Sequence, residues 1–192
     1  MRDIDIRIAL RRHELLHCGE PDTRVVEELG LCQGTARIDI AVVNGSIHGY
    51  EIKSAYDTLM RLPGQIEIYS RALDFVTIVT AETHADKVRT AVPEWWGLWV
   101  TLCSASKSPF EILREARQNI DVQPIALAQL LWREEALRAL EDRNLATGMR
   151  GKPRQQMWRV LAAELPLQDL SAIVRKTLKL RGSNWRPGGP QA

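Results

Sequence analysis

The 192 residues are 45% apolar and 26% charged, with a formal net charge of +2, enough for one sizeable core and too apolar for a largely disordered chain. The opening Met1-Arg2-Asp3-Ile4-Asp5 is charged where a secretory leader needs an apolar run, and no stretch approaches a membrane span in length, which predicts a cytoplasmic protein without membrane attachment. Cys18, Cys32 and Cys103 are odd in number and irregularly spaced, so neither a disulfide framework nor a zinc knuckle is expected, only reduced thiols.

In chain order, the first segment reads as a helix. Asp3 can cap it, Ile4, Ile8 and Leu15 fall near one stripe, and Gly19 ends it before Pro21. The alternation Ile4-x-Ile6-x-Ile8 is a competing strand signal. Three runs with strand character follow, at 23–29, 36–43 and 47–53, with Asn44-Gly45 as a hairpin turn between the last two. Residues 57–73 read as a helix whose regular part Pro63 delays, 75–80 as a buried strand, 81–92 as a helix stopped by Pro93, and 98–102 as a further strand.

After Ser108 the segments 110–118, 125–141, 155–164 and 167–180 show helical spacing. Pro124 starts one helix and Pro166 separates the last two. The Gly- and Pro-rich stretch 181–192 reads as a frayed end. The expected fold is therefore α/β: a mixed sheet flanked by helices over 1–107, followed by a helical region over 108–192. Charge divides along the chain. From Arg143 onward ten Lys/Arg face two Asp/Glu, a balance of +8, whereas the preceding 142 residues sum to −6. A basic tail on an acidic body suggests a polyanionic partner, and a solvated helical surface explains it as well.

The informative stretch runs from Arg37 to Lys53. Side chains alternate along a strand, so Glu51 and Lys53 share a face while Ile52 points into the core. Asp39 lies on the neighbouring strand, among Ile38, Ile40 and Val42. Charged groups on strands this apolar need a partner or a task. A two-residue Asn-Gly turn would pair Val43 with Ser46 and put Asp39 and Glu51 on opposite faces. A three-residue loop with Gly45 left-handed would pair Val42 with Ser46 and bring Asp39, Glu51 and Lys53 to one face, Asp39 diagonal to Glu51. Two carboxylates, with the Ile52 carbonyl as a third oxygen, suit Mg²⁺ or Mn²⁺, a hard cation that completes its shell with water and phosphate. Lys53 would then orient a water and stabilise developing negative charge.

Asp39, eleven intervening residues and Glu51-Ile52-Lys53 resemble the signature of the PD-(D/E)XK nuclease superfamily. The order helix, three strands, helix, strand is similar to its restriction-endonuclease-like core, and Gln65 with Tyr69 resembles the Q-x-x-x-Y element of its RecB-like branch. Ile38 stands where the signature usually has Pro. Through Leu130-Leu131-Trp132-Arg133 and Gly151-Lys152-Pro153-Arg154 the likeness extends to an uncharacterised bacterial family of that superfamily known by an sce-type locus. The resemblance implies a metal-dependent nuclease acting on nucleic acid, DNA rather than RNA, in repair or defence. Asp39 and Glu51 would hold the metal with Ile52, and Lys53 would act on the water. Glu28, or Glu14 by its position on the first helix, would be a further acid. Gln65, near the site, and Arg150, Lys152 and Arg154, in a loop with Gly148 and Gly151, are the candidates for nucleic-acid contact.

Three other readings compete. A nucleic-acid-binding protein of the same fold without catalysis is one, and a merely salt-bridged triad is another. His13-Glu14-Leu15-Leu16-His17 is a literal H-E-x-x-H, but a zinc peptidase sets a sheet before that helix, and twelve residues leave no room for one. Trp95, Trp96 and Trp99 are expected to close a core edge, and Trp132 and Trp158 to pack within helices.

Overall fold

A computed structural model describes residues 3–17, 22–102 and 109–181, without the side chains of 14–17. Cys18, Cys103 and the stretch 182–192 lie outside the described residues. The elements are α1 (Asp3–His17), β1 (Arg24–Leu31), β2 (Ala36–Val43), β3 (Ile47–Lys53), α2 (Leu62–Ala72), β4 (Phe75–Ala81), α3 (Ala85–Ala91), β5 (Gly97–Thr101) and β6 (Phe110–Arg114). Four helices follow: α4 (Pro124–Ala128), α5 (Arg133–Glu141), α6 (Arg154–Glu164) and α7 (Leu167–Leu180). The protein is α/β. Among the described residues six strands lie in sequence order in one mixed sheet. β1, β2 and β3 form an antiparallel meander, β3, β4 and β5 run parallel, and β6 returns antiparallel. The helices α2 and α3 make the two parallel crossovers, as parallel neighbours require. Among the described residues no helix is long and apolar enough to cross a membrane.

The sheet is covered on both faces. On one, Ile6 and Leu10 of α1 pack on Ile40, Val42, Tyr50, Ile52, Val79 and Trp99. The inward stripe of α1 is thus Ile6 and Leu10, and Ile4 and Ile8 are exposed, a rotation that apolar spacing alone did not identify. The other face carries the larger core, where Ala41, Val43, Ile47 and Ile78 meet α2 together with Leu127, Leu140, Trp158, Leu161, Leu170 and Val174 from the C-terminal helices. Trp96 and Trp99 are buried, and the Trp158 Nε1 donates to Leu131 O at 3.0 Å, in keeping with their reading as packing residues.

Two expectations after Ser108 are corrected. Residues 110–114 form a strand, not a helix, because β5 would otherwise be an open edge and Phe110 fills the smaller core. The sheet therefore extends past 107, and the C-terminal helices complete its core rather than standing apart from it. The helix expected over 125–141 is two helices. Trp132 is extended between them, and its backbone N–H donates to Glu135 Oε2 at 2.7 Å, starting α5 afresh. Asn119, buried after β6, donates through Nδ2 to Ser70 O and Leu73 O at 2.7 and 2.9 Å, closing the carbonyl end of α2.

One close approach fixes the middle of the sheet. An added Cβ at Gly97 would stand 2.5 Å from Thr77 Oγ1 and 3.0 Å from Ala116 N. That hydroxyl lies 2.8 Å from His48 Nε2, and burial pushes the His48 pKa down to about 3, so the ring stays neutral. Gly97→Ala is expected to displace Thr77 and cost about 1–3 kcal/mol. Urea unfolding, with Gly45→Ala in open space as the control, measures it.

Candidate functional site

The β2–β3 hairpin closes through a three-residue loop, Asn44-Gly45-Ser46, with Val43 paired to Ile47. Ser46 N donates to Asn44 Oδ1 at 3.1 Å and Asn44 N to Ser46 O at 3.0 Å. With this odd-numbered loop Asp39 and Glu51 reach one cleft, Asp39 met from the α1 side and Glu51 from the α2 side. The register differs from the expected one by a pair, so Asp39 falls opposite Glu51 rather than diagonal to it. Gly45 does not have a positive φ. The Asn44 side chain holds the loop instead.

Pairing of the two strands stops at Ile40 and Tyr50, one residue short of Asp39 and Glu51. The Ile52 N–H, left without a strand partner there, donates to Asp39 Oδ2 at 2.7 Å. On its other side β2 loses a pair as well. The β1–β2 ladder includes Glu27 with Ile40 and Leu29 with Ile38 but omits Glu28 with Asp39, and Glu28 has φ +53°. Both strands change faces at this point: Val26 and Ala41, then Leu29 and Ile38, all join the larger core, three residues apart where regular alternation needs an even number. A left-handed non-glycine residue costs of order 1–3 kcal/mol, and here it sits beside a cleft.

Glu51 and Lys53 are each 3% exposed. Lys53 Nζ donates to Glu51 Oε1 at 2.6 Å and to Gln65 Oε1 at 3.0 Å, while Gln65 Nε2 donates to Glu51 Oε1 at 2.7 Å. The Tyr69 hydroxyl lies 2.7 Å from Glu51 Oε2 and 2.6 Å from Arg37 O, and its one proton serves one of them at a time. Burial, then the Glu51 charge, raises the Tyr69 pKa. On the α1 side Arg7 binds three acids. Its Nη2 lies 2.6 Å from Asp39 Oδ1 and 2.9 Å from Glu28 Oε1, its Nε donates to Asp3 at 2.7 Å, and its Nη1 donates to Asp39 O at 3.1 Å. Burial opposes the Arg7 charge, but the Asp3 hydrogen bond and the surrounding carboxylates leave its pKa above the ordinary value. Asp39 is raised to about 7, first by burial and then by Glu51, against the lowering by Ile52 N–H and Arg7.

These groups, Tyr69 excepted, line a cleft of about 880 Å³ together with Ile52, Asp57, Met60 and the exposed Arg37 and Arg61. The Ile52 side chain is packed in the smaller core, so its main chain borders the cleft. The donor set fits a hard divalent cation. Asp39 Oδ1 and Oδ2 each accept one hydrogen bond and Glu51 Oε2 at most one, leaving lone pairs on oxygen. Among the described residues no group of three or more His, Cys, Asp and Glu is gathered to hold a metal. Two carboxylates with water and phosphate completing the shell is the way Mg²⁺ is commonly held.

Asp39, Glu51, Ile52, Lys53, Gln65 and Glu28 are thus brought together. The Glu14 and His17 side chains lie outside the described residues, and the His13 ring meets Trp99 edge-on at 5.0 Å. Arg150, Lys152 and Arg154 do not line the cleft. Arg150 pairs with Glu141 at 3.0 Å, and Arg154 lies 5.2 Å from the Trp158 ring centre. Arg181, the first residue of the stretch expected to fray, is instead buried between Glu135, Leu130 O and the Trp132 ring. Sequence reasoning missed Arg7 and Arg37, whereas closeness to Gln65 marks Arg61 as a candidate phosphate contact. The spacing of Asp3 and Arg7 by four was a signal for their mutual pair, but nothing local pointed to a partner 32 residues away.

The family model for bacteriophage P4 protein cII matches residues 2–185. Protein cII of Enterobacteria phage P4 is 25% identical over 181 residues, 94% of this chain and 68% of its own. A solved protein of unknown function from Silicibacter pomeroyi aligns with a TM-score of 0.44 and 18% identity, over 76% of this chain and 90% of that one.

The carboxylate geometry makes a titration prediction for the metal-free protein in chelator. The side-chain ¹³C signal of Asp39 is expected to titrate near pH 7. Glu51→Gln should bring the midpoint down and Arg7→Gln should push it up. Because the folded pKa is raised above the unfolded value, the ionised Asp39 disfavours folding. Stability relative to Asp39→Asn should fall between about pH 4 and 7 and stay level above. A midpoint in the ordinary carboxylate range, unmoved by either variant, would contradict this account.

Proposed function

We propose that this chain, which belongs to the bacteriophage P4 protein cII family, is a cytoplasmic metal-dependent nuclease with a PD-(D/E)XK-type, restriction-endonuclease-like core that hydrolyses phosphodiester bonds of nucleic acid, DNA rather than RNA. The observation that carries the reading is the parting of β2 from β3 between Asp39 and Glu51, with Lys53 on the same strand as Glu51 at the floor of an open cleft. A salt-bridged triad serving stability alone needs neither the missing ladder pairs nor the left-handed Glu28.

Mg²⁺ or Mn²⁺, when bound, supplies neutralisation of phosphate charge and acidification of a water. Asp39 and Glu51 would hold it, with the main chain of Ile52 beside them. Asp39 is aimed by two donors, Arg7 and the Ile52 N–H. Lys53 is aimed by Glu51 and Gln65, so its ammonium is fixed before substrate arrives and costs no reorganisation during reaction. Gln65 acts through this network rather than on phosphate, since both ends of its amide are engaged. Glu28 is held by Arg7 at the edge of the site and is the further acid. Arg37 and Arg61 stand at the rim for phosphates on either side of the cut, and Arg150, Lys152 and Arg154 would be outlying contacts.

Purified protein with labelled single- and double-stranded DNA and RNA should cleave at least one in Mg²⁺ or Mn²⁺ and none in EDTA. Asp39→Asn and Glu51→Gln should abolish cleavage, and Lys53→Gln should lower it by about 10²–10³, with circular dichroism confirming the fold. Cleavage that survives EDTA or either carboxylate variant would refute the mechanism.

A further inference from the structure

The segment 54–61 leaves β3 directly after Lys53 and contributes Asp57, Met60 and Arg61 to the cleft lining before α2. It is a tied turn. Ser54 N and Oγ donate to Asp57 Oδ2 at 2.8 and 2.6 Å, Asp57 N donates back to Ser54 O at 3.1 Å, and Leu62 N donates to Leu59 O at 3.0 Å. Leu59 packs on the larger core. Chain held this firmly nevertheless presents Tyr56 at 89% and Met60 at 87% exposure. Met60, Asp57 and Arg61 line the cleft, and Arg37 faces them from β2.

Tyr56 itself is not in the cleft lining but is the exposed neighbour of Asp57 on the same turn. An aromatic face and a thioether on a turn that also carries Arg61 are complementary to a base and its flanking phosphate. Two side chains are far too little surface for a stable protein partner, which needs on the order of 1,000 Å², but they match one or two nucleotides. An intact duplex keeps its base faces stacked inside, out of reach of such a platform.

We propose that the 54–61 turn is a base-stacking platform. Tyr56, with Met60 on the same turn, takes an unpaired base while Arg37 and Arg61 hold the neighbouring phosphates, so the cleft prefers single-stranded or frayed nucleic acid to intact duplex. This rests on the reading of the cleft as a nucleic-acid site.

The test is fluorescence anisotropy of a labelled 20-nucleotide single strand and a matched 20-base-pair duplex, in EDTA at low salt, so that binding is read without chemistry. The wild type should bind the single strand more tightly. Tyr56→Ala should weaken that binding by about 5- to 150-fold, the range for loss of one stacked base, and leave duplex binding nearly unchanged. Tyr56→Phe should retain it. Arg61→Gln should weaken both and flatten the dependence on salt. Equal single-strand affinity in wild type and Tyr56→Ala, duplex preference in the wild type, or no single-strand binding would overturn the proposal. The outcomes separate from those of the nuclease reading. Metal-dependent cleavage with no Tyr56 effect sinks the platform alone, and Tyr56-dependent binding without cleavage under any metal sinks the nuclease alone.

Discussion

Glu51 and Lys53 are buried side by side on a strand with neighbours on both sides, and the rest of the molecule is arranged around that fact. Withdrawing two charges from water costs several kcal/mol per ion, and removing one partner of such a pair costs about 3–5 kcal/mol. The pair is tolerable because every polar atom of it has a partner. Gln65 accepts from the ammonium with one end of its amide and donates to the carboxylate with the other, and the Tyr69 hydroxyl reaches the second oxygen. Gln65 and Tyr69 are one helical turn apart, so both face the sheet only if α2 lies in one rotation and one height above β3. That placement sets the crossover from β3 to β4, the parallel pairing that follows and the surface on which the C-terminal helices close.

A second constraint lies on the neighbouring strand. Asp39 could have paired through its backbone on both sides, and it does so on neither. Its carboxylate takes over the Ile52 N–H that a regular ladder would have given to a carbonyl. Its other oxygen faces Arg7, which also pairs with the carboxylate of the left-handed Glu28. Burial first, then the Glu51 charge and, least, Glu28 raise the Asp39 pKa here against the opposing Ile52 N–H and Arg7. Regular β-structure has been given up where a carboxylate replaces a backbone carbonyl in the ladder, and irregularities of this kind are over-represented next to functional sites.

Much of this was legible in residue order, and the failures have physical reasons. The strands 36–43 and 47–53 are recovered to the residue, because alternation and a turn-forming dipeptide coincide there. Odd loop length was expected from the need to bring Asp39 and Glu51 together, and the loop has three residues. The exchange of faces at Glu28 and Asp39 was not legible, since it breaks the alternation from which faces are inferred. Phe110, Ile112 and Leu113 have spacing compatible with either period, and only the open edge of β5 decides for a strand. Arg7 needed knowledge of which helix face meets the sheet, and the apolar stripe read from Ile4 and Ile8 was the wrong one.

Charge shows the same limit in another form. The +8 balance after Arg143 suggested a polyanion-binding tail, yet much of it is engaged within the protein. Arg143 faces Asp169 at 3.9 Å, Arg150 meets Glu141, Lys179 meets Asp22 at 2.8 Å, Arg175 bonds Ser171 and Arg181 is buried with Glu135. Lys179 and Arg181 in particular bind the helical region to the remainder of the fold or to itself. The acidic body, by contrast, contributes Arg37 and Arg61 exposed at the cleft, beside a lysine already oriented by its neighbours. Electrostatic attraction at a surface follows from which charges face solvent near a low-dielectric cleft, not from the sum along a segment. The exposed cations nearest the cleft are therefore those of the β2 start and the turn before α2, while Arg150 remains exposed on the helical region.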